Sequence, residues 1–534
     1  MIKYTPSSGR TLALFQTPFE QKLSAHNRWV RMAALVPWDE MAKVLYTSLS
    51  TGEGRPTVDL RIILGALLVK YIEDLSDEDT IQYIQENIYA QYFVGLSSFQ
   101  TEPVFVPSLF VEVRKRLDQE GSAKLNDLMI RQARDLKVIK HRRNPSDDGK
   151  NEEQQQQGPE GGAEQSGTES NNKEQVENRG TLMVDATVAP LHIAFPTDTR
   201  LLSEGRRYAE QLIDRLYYSH PELWKKKPRT YRREAKKAFV SFSKSKRRDT
   251  KAIRKATGQQ LRYLRRDLVI LNKMLDGLEK NKYAVCWTQP EWRKLWIIQE
   301  LYRQQEEMFR DRRRRIDDRI ISIQQPHARP IKRGKGGGKD TEFGPKVNIS
   351  LSEGIARADQ IDFNAFNEAI CMEDQIEGFK ELHGYYPAVL LADQIFWTRS
   401  NRKYLKERSI QIGGVPLGPS REMSKYEKYK ARKRNNKRSE VEGKFGQAKL
   451  KYGLDNLFTR LPETTKAEIN LIFLAINLLK IARTLFDSIF NFFFRRIGHL
   501  MDYLNCMALV GEKRIKTVTG IAWNTAPKLA INPA

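Results

Sequence analysis

Between Lys437 and Gly453 the chain reads Lys-Arg-Ser-Glu-Val-Glu-Gly-Lys-Phe-Gly-Gln-Ala-Lys-Leu-Lys-Tyr-Gly. If this segment is helical, one face carries four residues at successive spacings of four, three and four positions: Arg438, Glu442, Phe445 and Lys449. A carboxylate between two cations on one face suits a site that phosphate approaches. A surface helix with an ion pair between Arg438 and Glu442 is the alternative from this segment alone.

The composition of the chain narrows its class. The 534 residues are too many for one ordinary hydrophobic core, so about two to four domains are expected. Lys and Arg outnumber Asp and Glu by 91 to 66, and the formal net charge of +25 favours a polyanionic partner, nucleic acid before membrane. The three cysteines have no zinc-type spacing, and the N-terminus has no signal-peptide layout, so we expect a cytoplasmic protein.

The most apolar segment, residues 469–494, contains Asn477, Lys480, Arg483 and Asp487. These polar and charged residues interrupt it, so it predicts a buried helix and not a membrane span. No membrane partner is therefore predicted.

Residues 1–140 predict a helical N-terminal domain. Apolar residues recur at helical spacing from Val58 to Ile72, and Ser76 before three acids predicts a helix start. Short helices in a basic protein permit a helix-turn-helix-like DNA-binding domain, although a plain bundle or a dimerisation module fits this segment as well. Residues 141–180, rich in Glu, Gln, Gly and Ser, predict a disordered linker.

Beyond the linker, strand signals carry acidic residues. Thr181 to Pro190 begins with an apolar, β-branched strand that contains Asp185. Further strands are predicted at Arg319–Ile323, on either side of Ser352-Glu-Gly354, and at Ala388–Asp393. The last of these strands ends on an acid, Asp393.

Residues 220–318 predict a basic helical insertion between the first strand and the others. From Lys225 to Arg266 the only acids are Glu234 and Asp249, and aromatic residues are interleaved with the cations. A solvated charged face is the alternative, but this density of cations favours contact with a nucleic-acid backbone. The candidate DNA contacts in the insertion are Lys236, Arg247, Arg248 and Arg265.

The acids follow a recognisable order along the chain. A ribonuclease H-like core has the same order of elements: a strand with Asp185, a hairpin, a helix, a strand with Asp393 and a helix with Glu442. Three carboxylates that converge at strand ends can hold two Mg²⁺ ions, which prefer hard oxygen ligands. Asp198 and Glu440 are competing acids, and we expect them to cap a helix and to face solvent, respectively.

With these motifs the chain resembles the DDE transposases of bacterial insertion sequences. The segment at Arg438, Glu442 and Lys449 matches the family's R-x3-E-x6-K signature, and Leu60 to Leu96 is similar to the family's N-terminal domain. The other segments that carry the resemblance are Val184-Asp-Ala-Thr187, Pro196-Thr-Asp198, Thr341-Glu-Phe-Gly-Pro-Lys-Val347 and Leu391-Ala-Asp393.

The resemblance implies a function for these residues. Asp185, Asp393 and Glu442 would be the catalytic and metal-binding triad for two Mg²⁺ ions, with Mn²⁺ as a substitute. Arg438 and Lys449 would contact phosphates near the cleaved end. Trp397 follows the second acid, where an aromatic ring could stack on a displaced base, although core packing is the alternative for it.

The predicted fold is a multidomain α plus α/β protein. Its parts are a helical N-terminal DNA-binding domain (1–140), a linker (141–180), a ribonuclease H-like mixed-sheet catalytic core (181–219 and 319–500), a basic helical insertion (220–318) and a C-terminal tail (501–534). The predicted partners are the element's terminal inverted repeats and target DNA, and synapsis of two ends predicts a homodimer associated with the nucleoid.

Three functions are compatible with this sequence. The first is a transposase that cleaves DNA at the ends of its element and transfers the strand to target DNA, without ATP or a covalent protein intermediate. The second is a nuclease of the same fold without strand transfer. The third is a DNA-binding protein with a silent site, which the intact acids disfavour.

Overall fold

A computed structural model describes residues 3, 4, 6, 15–17, 22–48, 57–141, 177–246, 248–332, 341–413 and 424–486, without the side chains of 427, 428, 430, 431 and 435. Residues 1–478 form one compact unit and residues 479–534 a second. The predicted linker, apart from His141 and residues 177–180, and the predicted tail lie outside the described residues.

The N-terminal part is helical, as predicted. Its helices are α1 (Arg28–Leu35), α2 (Trp38–Ser48), α3 (Leu60–Glu73), α4 (Asp77–Glu86), α5 (Ile88–Val94) and α6 (Ser108–Asp135). Phe93 of α5 packs against α1 and α2, because its ring lies 5.0 Å from that of Trp29 and 5.4 Å from that of Trp38. Within α6, Asp118 has a φ of 50° and accepts a hydrogen bond from Gly121 N, so it breaks the helix and caps its second half.

The first core strand and four helices come next. They are β1 (Thr181–Val188), α7 (Asp198–Ser219), α8 (Arg232–Lys244), α9 (Thr250–Lys280) and α10 (Gln289–Arg310). The long helices pack through leucines that recur at helical spacing, among them Leu212, Leu264 and Leu271. The basic insertion therefore shares a hydrophobic core with α7, which precedes it in the chain, and exposed cations such as Lys236 and Arg265 lie on the outside.

The remaining elements complete the fold. They are β2 (Pro330–Lys332), β3 (Thr341–Phe343), β4 (Lys346–Ser352), β5 (Ile355–Asp362), α11 (Met372–His383), β6 (Val389–Leu391), α12 (Arg399–Glu407), β7 (Gln411–Ile412), α13 (Lys425–Lys451) and α14 (Pro462–Phe486). β4 and β5 form the predicted hairpin, with positive φ at Glu353 and Gly354 in a two-residue turn.

A five-stranded mixed sheet, in the order β5-β4-β1-β6-β7, places β1 at its centre. β1 is antiparallel to β4 and parallel to β6, and β6 is parallel to β7. The parallel register pairs Met183 with Leu391. Both strands next to β1 are thus fixed by backbone hydrogen bonds close to the acids predicted from the sequence.

Two predictions from the sequence are wrong. Residues Arg319–Ile323 form no strand, because Ile320 and Ile323 pack against Leu201 and Leu301 as a buried loop. Asp198 is the first residue of α7 and not its N-cap, which is Thr197. The Asp198 carboxylate instead accepts hydrogen bonds from Gln305 and Arg319.

Helix α14 contains most of the apolar segment for which a buried helix was predicted. Among the described residues it is the one helix long and apolar enough to cross a membrane, by length and composition alone. About two thirds of its apolar window (67%) is buried within the protein, which is typical of a core helix.

Helix α9 carries an unusual buried acid. Asp267 is inaccessible to solvent, and neither of its carboxylate oxygens has a hydrogen-bond partner. Burial raises its pKa to about 8, and the charge of Glu210 adds to this shift, whereas Arg206 and other arginines oppose it. The folded protein therefore holds this carboxyl group in its protonated form at neutral pH.

We expect Asp267→Asn to stabilise the protein most at high pH. An unfolded Asp loses its proton near pH 4, so the wild type loses stability as pH rises from there to about 8, and the amide variant does not. The gain in Tm should be near zero at pH 4 and should level off above pH 8. Asp276→Asn, at an exposed position of the same helix, is the control; a gain that does not depend on pH would contradict this account.

Candidate active site

Asp185 lies in the central strand, where the sequence predicted it. Its side chain is half-buried and accepts a hydrogen bond of 2.8 Å from Ala186 N. Burial raises the pKa of this carboxyl to about 6. The negative charges of Glu368 and Asp393 also raise it, while the Ala186 N–H group and Arg438 lower it. The half-buried position therefore disfavours the charged form of Asp185, and a cation beside it would favour that form.

Asp393 follows β6 and lies next to Asp185 through the strand register. Met183 pairs with Leu391, and each acid comes two residues after its member of that pair. Because parallel strands advance together, the two carboxylates lie at the same edge of the sheet. Asp393 also caps the turn Gln394–Phe396, accepting a 2.7 Å hydrogen bond from Gln394 N.

Glu442 reaches this edge on helix α13, which packs against β1. The buried residues of this helix include Val441, Phe445 and Ala448, so Glu442 lies beside the buried stripe and is itself exposed. Phe445 shares the predicted face, and Lys449 is half-buried on the same helix. The sequence therefore predicted which residues share this face of α13, but not that β1 would pack beside it.

Arg438 connects the second and third acids. Its Nη1 lies 3.2 Å from Asp393 Oδ1 and its Nη2 lies 3.6 Å from Glu442 Oε1. The surface ion pair considered as an alternative is therefore present, but the same guanidinium also holds an acid from the sheet. One cation shared by two carboxylates shows that the edge favours positive charge.

The type of these residues fits a divalent cation, whereas their present spacing does not yet form a site for one. All three acids offer hard carboxylate oxygens, the ligands that Mg²⁺ prefers. Across the described ranges, however, no group of three or more His, Cys, Asp or Glu side chains is close enough to hold a metal ion. The Arg438 guanidinium instead lies between two of the acids.

Glu368 and Lys346 are neighbours of the site that the sequence did not predict. Lys346 Nζ lies 2.7 Å from Glu368 Oε1, with both side chains mostly buried, and it also donates to Phe366 O. Lys346 begins β4 opposite Val188, while Glu368 begins a short 3₁₀ turn. No spacing in the sequence indicates this pair, because the fold alone brings it near Asp185.

A buried asparagine joins the turns that follow the hairpin and β6. Asn401 is 5% exposed, and its Nδ2 group donates 2.8 Å hydrogen bonds to Ala369 O and to Phe396 O. These two carbonyls belong to the turns that begin with Glu368 and follow Asp393. Asn401 therefore fixes one acid-bearing turn against the other.

The structure does not favour base stacking by Trp397. Its side chain is 7% exposed and lies in the core with Val184 and Phe396. Core packing, the alternative considered from the sequence, accounts for this position. The ring is not available to a displaced base in this structure, so that interpretation is corrected.

The candidate contacts of the insertion lie on its surface. Lys236 on α8 and Arg265 on α9 are exposed. Arg248 is exposed too, although its guanidinium donates to Ser243 O and Ser245 O and so also closes the turn after α8. Arg247 lies outside the described residues. The described cations are thus accessible to a polyanion.

We expect Asn401→Asp to lower the stability of the protein by about 2–3 kcal/mol, because it leaves an acceptor facing two buried carbonyl oxygens. The change keeps the size of the side chain and removes both donated hydrogen bonds. Urea unfolding at pH 7 measures the loss. Asn272→Asp, at an exposed position of α9, should change little; an equal loss in both variants would exclude a specific role for the two bonds.

Comparison with known proteins finds two transposase family models and one similar protein. Residues 390–479 match the family described as "Transposase DDE domain", and residues 17–116 match "Transposase domain (DUF772)". A Rhizobium meliloti protein, "Uncharacterized protein ORF8 in nfe locus", is 29% identical over 199 residues, which cover 37% of this chain and 77% of that protein. No solved structure matches.

The first match includes Asp393, Arg438 and Glu442, and the second covers most of the N-terminal helices. Asp185 lies outside both. The resemblance to the DDE transposases found in the sequence is thereby confirmed, in two separate segments of the chain.

Proposed function

We propose that this protein is an insertion-sequence transposase that cleaves DNA at the ends of its element and joins the freed strand to target DNA. The observation that carries the proposal is that Arg438 lies between Asp393 and Glu442, while Asp185 lies on the neighbouring strand within range of the charges of Asp393 and Arg438. The family match supports an enzyme that acts on DNA.

The core is proposed to be ribonuclease H-like. Three antiparallel strands, β5, β4 and β1, are followed across the sheet by two strands parallel to β1. The acids lie on the central strand, after its parallel neighbour and on a later helix, which is the arrangement that the sequence order predicted.

The reaction has two phosphoryl-transfer steps. In the first, the oxygen of a water molecule attacks the phosphorus at the element's end and the P–O3′ bond breaks. The leaving 3′-oxygen takes up a proton and becomes a free 3′-hydroxyl, while the phosphate stays on the 5′ end of the neighbouring nucleotide. In the second, that 3′-hydroxyl loses its proton and attacks a target phosphodiester, whose own 3′-oxygen leaves. One phosphodiester forms as one breaks, so this step needs no ATP.

Asp185, Asp393 and Glu442 are proposed to hold two Mg²⁺ ions, or Mn²⁺ in their place. When bound, such ions activate an attacking oxygen and neutralise a leaving oxygen. The residues of the chain supply the position: the register fixes two of the acids, and α13 brings the third. Arg438 and Lys449 are proposed to contact phosphates of the cleaved strand.

The insertion and the N-terminal domain are proposed to bind the terminal inverted repeats. The exposed cations Lys236, Arg248 and Arg265 support this for the insertion, and Arg247 remains a candidate from the sequence. Joining two ends requires that they be held together, so a homodimer is proposed for the synaptic complex. The protein would act in the bacterial cytoplasm, at the nucleoid.

We expect Glu442→Gln to abolish Mg²⁺-dependent cleavage of DNA that carries the element's own ends, lowering the rate by at least about a hundredfold. The amide keeps the shape of the side chain but removes a charged ligand. Glu440→Gln is the matched control, since this exposed acid of α13 points away from Asp393. Equal loss of cleavage in both variants would contradict the assignment of Glu442.

The products of the same assay separate the alternative functions. Joining of the cleaved end to a second duplex supports the transposase, whereas cleavage without joined products supports a nuclease of the same fold. Binding without cleavage in either Mg²⁺ or Mn²⁺ supports a silent DNA-binding protein. The presence of Asp185, Asp393 and Glu442 on neighbouring elements favours the first two outcomes.

We expect Lys236→Ala and Arg265→Ala to weaken DNA binding at all sequences alike. Each phosphate contact releases a counterion, so each loss should reduce the slope of log K against log[salt] by about 0.9. Fluorescence anisotropy from low to moderate salt measures the slope. Lys403→Ala removes a cation that is 81% exposed on α12, outside the insertion; an equal change in slope for this variant would show that the insertion has no special role.

A further inference from the structure

Arg438 contacts carboxylate oxygens that a bound cation would also need. Its guanidinium lies 3.2 Å from Asp393 and 3.6 Å from Glu442, two of the acids proposed to hold Mg²⁺. An arginine bridge and a divalent cation both neutralise these carboxylates, and both need the same oxygens. The two therefore compete wherever the oxygens cannot serve both.

The contacts of Arg438 with Asp393 and Glu442 are exposed to solvent and can be broken at low cost. The side chain of Arg438 is 30% exposed, that of Asp393 is 60% exposed and that of Glu442 is 57% exposed. Exposed ion pairs of this kind are individually weak. The backbones that carry the three residues are meanwhile held by the register of β6 and by the packing of α13.

We propose that Arg438 is an internal counter-ion of the DNA-free enzyme, which leaves the two acids when a DNA phosphate reaches it. With the arginine on the phosphate, the carboxylates become free to bind a divalent cation. DNA binding and cation binding thereby favour each other. This inference rests on the proposed function of the same site. It adds the order of binding, because the cation site becomes available once DNA is present.

Thermodynamic linkage makes the inference quantitative. If DNA tightens the binding of a cation by some factor, the cation tightens the binding of DNA by the same factor. Removing the arginine's charge removes the competitor, so it should tighten cation binding without DNA and shrink that factor. A residue that only oriented the acids would have the opposite effect, because its loss would weaken cation binding.

The test is the affinity of the DNA-free full-length protein for Mn²⁺, measured from the electron paramagnetic resonance signal of free Mn²⁺. Arg438→Gln should bind Mn²⁺ about five- to twentyfold more tightly than the wild type, since two exposed ion pairs are lost. Arg438→Lys keeps the charge and should stay close to the wild type. Arg434→Gln, one turn earlier on α13, removes the same charge away from the bridge.

The measurement is then repeated with a pre-cleaved duplex of the element's end, which has no cleavage left to undergo. The duplex should tighten Mn²⁺ binding in the wild type by a larger factor than in Arg438→Gln. The double variant Asp185→Asn, Glu442→Gln identifies the Mn²⁺ that binds at the acids. Circular dichroism and the thermal midpoint of each variant show that the fold is kept.

The outcomes separate this inference from the proposed function. Equal Mn²⁺ affinity of Arg438→Gln and Arg434→Gln, or weaker binding by Arg438→Gln, overturns the counter-ion role while leaving the cation site in place. If no variant binds Mn²⁺ at the acids, with or without DNA, the cation site itself fails and the inference fails with it.

Discussion

The parallel pairing of β1 with β6 is the constraint on which the rest of the site depends. Its register sets Met183 beside Leu391, and each acid follows two residues later, Asp185 within β1 and Asp393 just after β6. A slip of one residue would turn one of these carboxylates to the opposite face of the sheet. Buried residues on both strands, such as Val184 and Leu390, oppose such a slip. Hydrophobic packing thus fixes the separation of two charged groups.

The third acid is positioned by a weaker constraint. Glu442 arrives on a helix whose buried face meets β1, and it stays exposed beside that face. No ladder of hydrogen bonds fixes its distance from the strands, so electrostatics has more influence there. Arg438, one turn earlier, supplies that attraction by reaching Asp393 as well as Glu442. The site therefore combines a rigid pair with an acid whose place depends on a shared cation.

Local chemistry explains what could be predicted from the sequence. The hairpin follows from a Glu-Gly pair that accepts positive φ, and the acids of β1, β6 and α13 follow from their spacing and their neighbours. The predicted strand at Arg319–Ile323 failed because β-branched residues also fill buried loops, where they pack without a strand partner. Lys346, Glu368 and Asn401 were missed because only tertiary contacts, which local patterns do not encode, bring them to the acids.

The N-terminal helices contact the mixed sheet directly, through helix α6. β5 is an edge strand, and the backbone N–H of Ala356 donates to Asn477 while its carbonyl accepts from both Asn126 and Asn477. Asparagines from α6 and α14 thereby cover an edge that would otherwise present unpaired backbone groups. The neighbouring Arg357 pairs with Asp127 of α6 at 2.8 Å. Helix α6 of the N-terminal domain therefore contacts the same sheet that carries Asp185, through side chains that bond directly to β5.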